Sequence, residues 1–279
     1  METPTATNDV AAQYITEIGG RKYMVDETTN RISFLDARFY KCADGSMVPS
    51  VTTLLDAWPK GAQYYEWLKK HGQDSDEIRD EAGRRGSVVH NLTELVDRGG
   101  EARMCGDDGS PKFLMSEWAM LERYAEFRKI VAPEIHEIEL NMASSKLGYA
   151  GTLDRVMVIA DEPWIIDIKT SAAVYDHHHL QTAAYLKLYA EARKMPAMME
   201  LKFRRGILHL NAKTRSYGKG EAIQGPGWQL VETDKSLEED MSLFDACVKL
   251  WHATNKNTKP KATSYEISVK IEQPKPVTL

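Results

Sequence analysis

Apolar and polar positions repeat along this chain with two different periods, and the changes of period mark out its elements. From Tyr14 to Tyr40 an alternating pattern breaks at Gly19-Gly20 and at Glu27-Thr28-Thr29-Asn30, which predicts a small β meander serving as scaffold or cover. Val48 to Leu55 then offers Ser50 as a helix N-cap ahead of an apolar stretch. Helical spacing follows at about 60–71, about 75–98 and about 111–131, with a glycine-bearing connector from Asp97 to Pro111. In the middle helix Val88 or Val89, Leu92, Leu95 and Val96 form the expected buried stripe, while Gly86, His90, Glu94 and Asp97 lie on another face. Period two returns in Glu134 to Met142, Tyr149 to Ile159, Pro163 to Lys169, Arg205 to Leu210 and Trp228 to Glu232, and Leu237 to Thr254 closes as an amphipathic helix.

These elements predict an α/β fold: a mixed, mostly antiparallel central sheet flanked by helices, with a helical insertion between the meander and the first core strand. Four regions are expected, residues 1–47 (leader and meander), 48–133 (insertion), 134–255 (core) and 256–279 (a mobile, mildly basic tail).

The chemistry concentrates between Gly148 and Tyr185. Alternation places Trp164, Ile166 and Ile168 on one face of a strand and Ile165, Asp167 and Lys169 on the other. Ala160-Asp161-Glu162-Pro163 carries turn residues, so the simplest connection to the preceding strand is a hairpin. An even loop centred between Ala160 and Asp161 pairs residues whose numbers sum to 321, and Asp154 and Asp167 satisfy that sum. Their Cβ atoms would lie about 4.5–5.5 Å apart. Two carboxylates that close repel unless a cation separates them, and oxygen ligands favour Mg²⁺ or Mn²⁺. Lys169 would stand beside that cation and a bound phosphate; the plainer alternative is a surface Asp-x-Lys at a strand end.

Taken together, Arg85-Gly86-x-x-x-His90, Glu139, Gly151-x-x-Asp154, Asp167-x-Lys169 and Gln181-x-x-x-Tyr185 resemble the PD-(D/E)xK nuclease superfamily in its RecB-like branch, over roughly Val48 to Tyr185. The resemblance implies a restriction-endonuclease-like sheet and a metal held by His90, Asp154, Asp167 and the Ile168 carbonyl. It implies that Gln181 orients Lys169 or a nucleotide, and that Tyr185 contacts DNA or packs beside it. Glu139 would hold a water or a second metal, or form a cross-strand charge pair. Gly86 would allow close approach of a phosphate or a helix, and the helical insertion would arch over the substrate. After Lys169, Thr170 and Ser171 have hydroxyls for a phosphate or for capping the next helix.

Composition narrows this further. The net charge of −5 excludes a uniformly basic DNA binder, so contacts must come from local patches. Arg84/Arg85, Lys202/Arg204/Arg205 and Lys213/Arg215/Lys219 are the candidates, each equally readable as a solvated face. Cys42, Cys105 and Cys247 lack metal-ligand spacing and cannot supply the four thiolates of an iron–sulfur cluster, so none is expected. His177-His178-His179 cannot converge on one ion, because successive helical side chains diverge by about 100°. No apolar run approaches the length of a membrane span and the first residues are polar, which predicts a cytoplasmic protein with no membrane association. The expected activity is a Mg²⁺- or Mn²⁺-dependent deoxyribonuclease, an exonuclease acting on single strands or DNA ends in recombination, repair or replication, with any protein partner unidentified. A structure-selective or nicking endonuclease, or a non-cleaving DNA-binding protein, are the rivals.

Overall fold

Short strands lead into helices before the main sheet begins. The computed structural model describes residues 13–18, 21–26, 29–34, 37–211 and 227–262. The expected leader, the Lys213/Arg215/Lys219 patch and the tail beyond residue 262 lie outside these residues. In chain order come β1 (Gln13–Ile18), β2 (Arg21–Asp26), β3 (Arg31–Phe34), β4 (Ala37–Lys41) and β5 (Met47–Pro49). Next are α1 (Val51–Leu55), α2 (Ala62–His71), α3 (Asp74–Asp97) and α4 (Met115–Val131). The core follows with β6 (Glu134–Ser144), β7 (Tyr149–Ile159), β8 (Glu162–Lys169), α5 (Asp176–Ala192), α6 (Ala197–Glu200), β9 (Arg204–His209), β10 (Gln229–Glu232) and α7 (Leu237–Thr254).

The central sheet has the order β10-β9-β8-β7-β6, with only the β8/β9 pair parallel. The mixed, mostly antiparallel sheet with flanking helices is therefore present, together with separate antiparallel β1-β2 and β3-β4-β5 sheets. Its register rests on a two-residue turn. Ile159 pairs with Glu162, and between them Ala160 and Asp161 both adopt left-handed φ values of 49° and 66°. Positive φ at both central positions matches the twist of the flanking strands, which is why such turns close hairpins. From there each pair sums to 321, as far as Arg155 opposite Ile166.

Alternation then sorts side chains to two cores. Val156 and Ile165 face α5, α7 and α1, where Leu180, Phe244 and Leu54 are buried; Leu153, past the end of the β7/β8 ladder, joins this core out of the alternation. Met157, Trp164, Ile166 and Ile168 face α3 and α4, against Val89, Met120, Tyr124 and Phe127. Ser50 caps α1 as expected, its Oγ accepting from Thr53 N at 3.0 Å.

Three local expectations change. Leu95 is exposed and Thr93 is fully buried in its place, because 89, 92, 93 and 96 form the i, i+3, i+4, i+7 row. The third helix starts at Met115, since Cys105 and Pro111 form a bridge and Leu114 occupies the N-cap position. Alternation in β6 is interrupted by a bulge: Ile135 faces Met157 but Glu137 faces Val156, leaving His136 as the extra residue.

Candidate active site

Three acids line up across three neighbouring strands. Ile138 faces Arg155 and Leu140 faces Leu153, which sets Glu139 across from Asp154, and the β7/β8 register carries the row on to Asp167. Glu139 itself has a left-handed φ of 48°. At Asp154 the β7/β8 ladder ends, and the Asp154 carboxylate replaces the next backbone acceptor: its Oδ2 takes the Ile168 N–H at 2.6 Å. His90 reaches this row from α3. Its Nε2 lies 3.1 Å from the Ile168 carbonyl oxygen, and its Nδ1 lies 3.4 Å from Glu139 Oε1 and 3.6 Å from Asp154 Oδ1. One ligand atom from each of His90, Glu139 and Asp154 falls within 4.8 Å of the others.

Asp167 sits beside this cluster. Its Oδ2 is 2.7 Å from the Lys169 ammonium, yet among the described residues neither oxygen receives a well-directed hydrogen bond, and the side chain is 1% exposed. Lys169 also donates to Gln181 Oε1 at 3.0 Å, and Gln181 Nε2 donates to the Tyr185 hydroxyl at 2.9 Å. The Tyr185 ring is buried against Gly151, where an added Cβ would lie 2.6 Å from Tyr185 Cε1. Gly151 is thus what lets the tyrosine, and through it Gln181 and Lys169, approach β7.

The charges of this group conflict. Burial pulls the His90 imidazole down, but the Asp154 and Glu139 carboxylates outweigh it and raise its pKa to about 9. Burial raises the Asp154 carboxyl, opposed by His90, and lifts Asp167 to about 6 despite Lys169 beside it. A cluster that gathers protons where imidazole nitrogen and carboxylate oxygens converge is suited to exchange them for a divalent cation, which such donors hold well.

Behind the acids lies a buried arginine that the sequence reading did not identify. Arg155, 0% exposed, donates from Nε to Asp97 Oδ2 at 2.6 Å, from NH1 to Glu139 Oε1 at 3.0 Å and to the Asp154 carbonyl at 2.7 Å, and from NH2 to Thr93 Oγ1 at 3.1 Å. Asp97 accepts in addition from the Tyr124 hydroxyl and from Arg128. This network ties α3 and α4 to β7 and anchors one oxygen of Glu139.

The PD-(D/E)XK nuclease superfamily model matches residues 61–265, nearly three-quarters of the chain and all of the residues just described. The chain belongs to the PD-(D/E)XK nuclease superfamily. No curated protein matches it at a significant level. Membership makes this a hydrolase of nucleic acids, in a superfamily that generally works with divalent metals, and the His90, Glu139 and Asp154 donors together with the underpaired Asp167 oxygens fit such an ion. Among the described residues no helix is long and apolar enough to cross a membrane.

The nuclease cleft above these residues has a volume of about 830 Å³. The α3 wall contributes Arg85 and Gly86, and among the described residues Arg85 Nε has no hydrogen-bond partner. Thr170 lines the cleft with its Oγ1 3.4 Å from where a Gly86 Cβ would stand; the helix approaches the strand end there rather than leaving a gap. Ser171 also lines the cleft, its hydroxyl engaged by the Ala173 carbonyl, and α5 is entered through Tyr175 instead. Arg204 and Arg205 are not brought here. Arg204 stacks on Trp164 and pairs with Glu232 and Glu162, and Arg205 is buried in an ion pair with Asp240 at 2.7 Å. The three histidines stay apart from the His90, Glu139 and Asp154 donors; buried His178 accepts from Tyr175 N, and desolvation lowers its pKa to about 2. Cys42, Cys105 and Cys247 are free thiols. The meander also contributes to the wall of this cavity, through Arg31, Arg38 and Tyr40. Alternation around Ile32 and Phe39 was the available signal for that wall.

Proposed function

We propose that this nuclease is a DNA exonuclease of the RecB-like kind, using Mg²⁺ or Mn²⁺ held by His90, Asp154, Asp167 and the Ile168 carbonyl, with Glu139 as a further ligand or water holder. When bound, the cation supplies Lewis-acid polarisation of the scissile phosphate and lowers the pKa of an attacking water. Lys169, oriented by Gln181, offsets the negative charge that develops on the phosphoryl oxygens as the water displaces the leaving oxygen. Tyr185 holds Gln181 in turn. Arg155 keeps Glu139 facing the cleft, and no covalent intermediate is needed. Retention of both aspartates and the lysine in one cleft favours cleavage over mere DNA binding.

End dependence is supported by the insertion. Within α2 no residue is buried, and along α3 the side chains from Asp76 to Arg84 are exposed, so more than two turns of helix stand clear of the sheet beside the cleft. Helices placed this way can roof the cavity and admit a strand only by its terminus, a task suited to recombination, repair or replication. The single observation that carries the reading is the convergence of His90, Glu139, Asp154, Asp167 and Lys169 beneath that helical wall. The test uses one sequence in two forms: a linear single strand should be degraded to short products with Mg²⁺ or Mn²⁺, while its covalently closed circle survives. Equal rates on both would establish the endonuclease reading instead.

A further inference from the structure

The hairpin β3–β4 has two unlike faces. Ile32 and Phe39 point into the main core, where Phe39 meets Trp251 of α7 edge-on at 6.4 Å. The other face carries Arg31, opposite Tyr40, and Arg38, opposite Ser33, which makes the two arginines diagonal neighbours. Diagonal residues of a strand pair lie about 7–8 Å apart, and like charges placed together on a sheet face destabilise it. Among the described residues neither guanidinium is paired with a carboxylate, and both line the cleft that holds the metal cluster. Such a pair suits an anion from outside the chain.

The wall is also rigidly placed. Arg38 N donates to Thr53 Oγ1 at 3.0 Å, Ser50 N donates to the Arg38 carbonyl at 2.8 Å, and Ser50 forms a parallel bridge with Ala150. Tyr40, Cys42, Val48 and Ala150 form a small core of their own. The hairpin is therefore stitched to β7 four residues before Asp154, and its arginines keep a fixed relation to the acids. Those acids repel a phosphodiester backbone, and the net charge of −5 gives no long-range attraction. In the same lining Arg98 is occupied by Glu94 and Lys169 by Asp167, leaving Arg85 as the further arginine of the cavity with no carboxylate partner among the described residues.

We propose that Arg31 and Arg38 form a phosphate clamp, gripping the DNA backbone in the cleft that Arg85 also lines and holding the strand over the acids. Bidentate guanidinium–phosphate contacts suit two arginines on one sheet face, and Tyr40 beside them is held in the small core with Cys42, Val48 and Ala150. The clamp rests on the reading of the cleft as a DNA-cleaving site, and it makes the meander a substrate-binding element.

The experiment compares the full chain with its Arg31→Ala/Arg38→Ala double variant and with Arg31→Lys/Arg38→Lys. A fluorescent single-stranded oligonucleotide is titrated in the Asp167→Asn background, and cleavage kinetics are measured without that change. The alanine pair should weaken binding by about tenfold for each arginine, raise KM correspondingly and leave kcat within about twofold. The plot of log affinity against log salt should become shallower by about 0.7 for each lost phosphate contact. The lysine pair should recover much of the salt slope, which a purely structural role would not predict. Unchanged affinity and slope in a folded alanine variant would overturn the clamp. If the chain binds DNA but never cuts it, only the cleavage reading falls and the slope still decides the clamp; if it neither binds nor cuts, both fall.

Discussion

Two groups of buried acids flank Arg155, and the protein treats them in opposite ways. Asp97 receives donors from Arg155, Arg128 and Tyr124, so its charge is fully matched. Asp154 has a single backbone donor and a shared histidine, and Asp167 has an ammonium neighbour without a well-directed hydrogen bond. Burial is the same in both places; satisfaction is not. A matched buried carboxylate holds elements together, whereas an under-matched one keeps lone pairs for something that arrives later. Arg155 bonds Asp97 on one side and the Asp154 carbonyl and Glu139 carboxylate on the other, so the structural cluster helps set the position of the reactive one.

The largest expected effects come from exchanging these roles. Asp154→Asn should cut metal-dependent cleavage by about 10³-fold or more while the folded state survives, because several kcal/mol of charge stabilisation is lost but no buried charge is stranded. Asp97→Ala should instead destabilise the fold by about 3–5 kcal/mol, since it leaves Arg155 buried without its main partner. Denaturant melts and an end-labelled oligonucleotide assay on both variants would expose an inverted assignment at once. Next in size is Lys169→Ala, expected to slow turnover by about 10²–10³ with little change in DNA affinity. A variant that cuts at the normal rate but binds weakly would make Lys169 an anchor instead.

The smallest effect is in pH. In the metal-free chain His90 is raised from 6.5 to about 9 and Asp167 from 3.8 to about 6, so the folded state holds these protons more tightly than the unfolded one. The stability they contribute is fully present at low pH, declines as pH climbs from about 4 to 6 for Asp167, and declines again from about 6.5 to 9 for His90. A divalent cation must displace those protons, so its affinity should rise over the same interval. Melts in chelator and in Mn²⁺ should therefore diverge more near pH 8 than near pH 6, and calorimetry should record proton release; parallel curves would count against a cation at His90.

Much of this comparison could be read along the chain because its parts are close in sequence. Asp154, Asp167 and Lys169 belong to one hairpin, where period two and a tight turn determine who faces whom. The central sheet and α7 follow from equally local patterns. Arg155 could not be read, since its main partner Asp97 is 58 positions away and a charged residue in a strand looks solvated until that partner is found. The partners of Arg204 and Arg205 were hidden for the same reason: Glu232, Glu162 and Asp240 pair with them from distant elements. The meander looked like mere cover because alternation reports that a hairpin has two faces, not what lies across from the polar one.

The left-handed pair at Ala160 and Asp161 makes chain length itself a heritable property of the active site. A turn this tight has no slack, so β8 is read against β7 in a frame. Were a single inserted residue absorbed by the strand, every following side chain would change sides. Ile166 and Ile168 would take the cleft positions of Asp167 and Lys169, Trp164 would enter the main core in place of Ile165, and Asp167 and Lys169 would enter the apolar layer beside Phe127. Point substitutions can tune this nuclease gradually, but a one-residue slip here acts as a frameshift does in a gene, erasing the chemistry while leaving almost every amino acid unchanged.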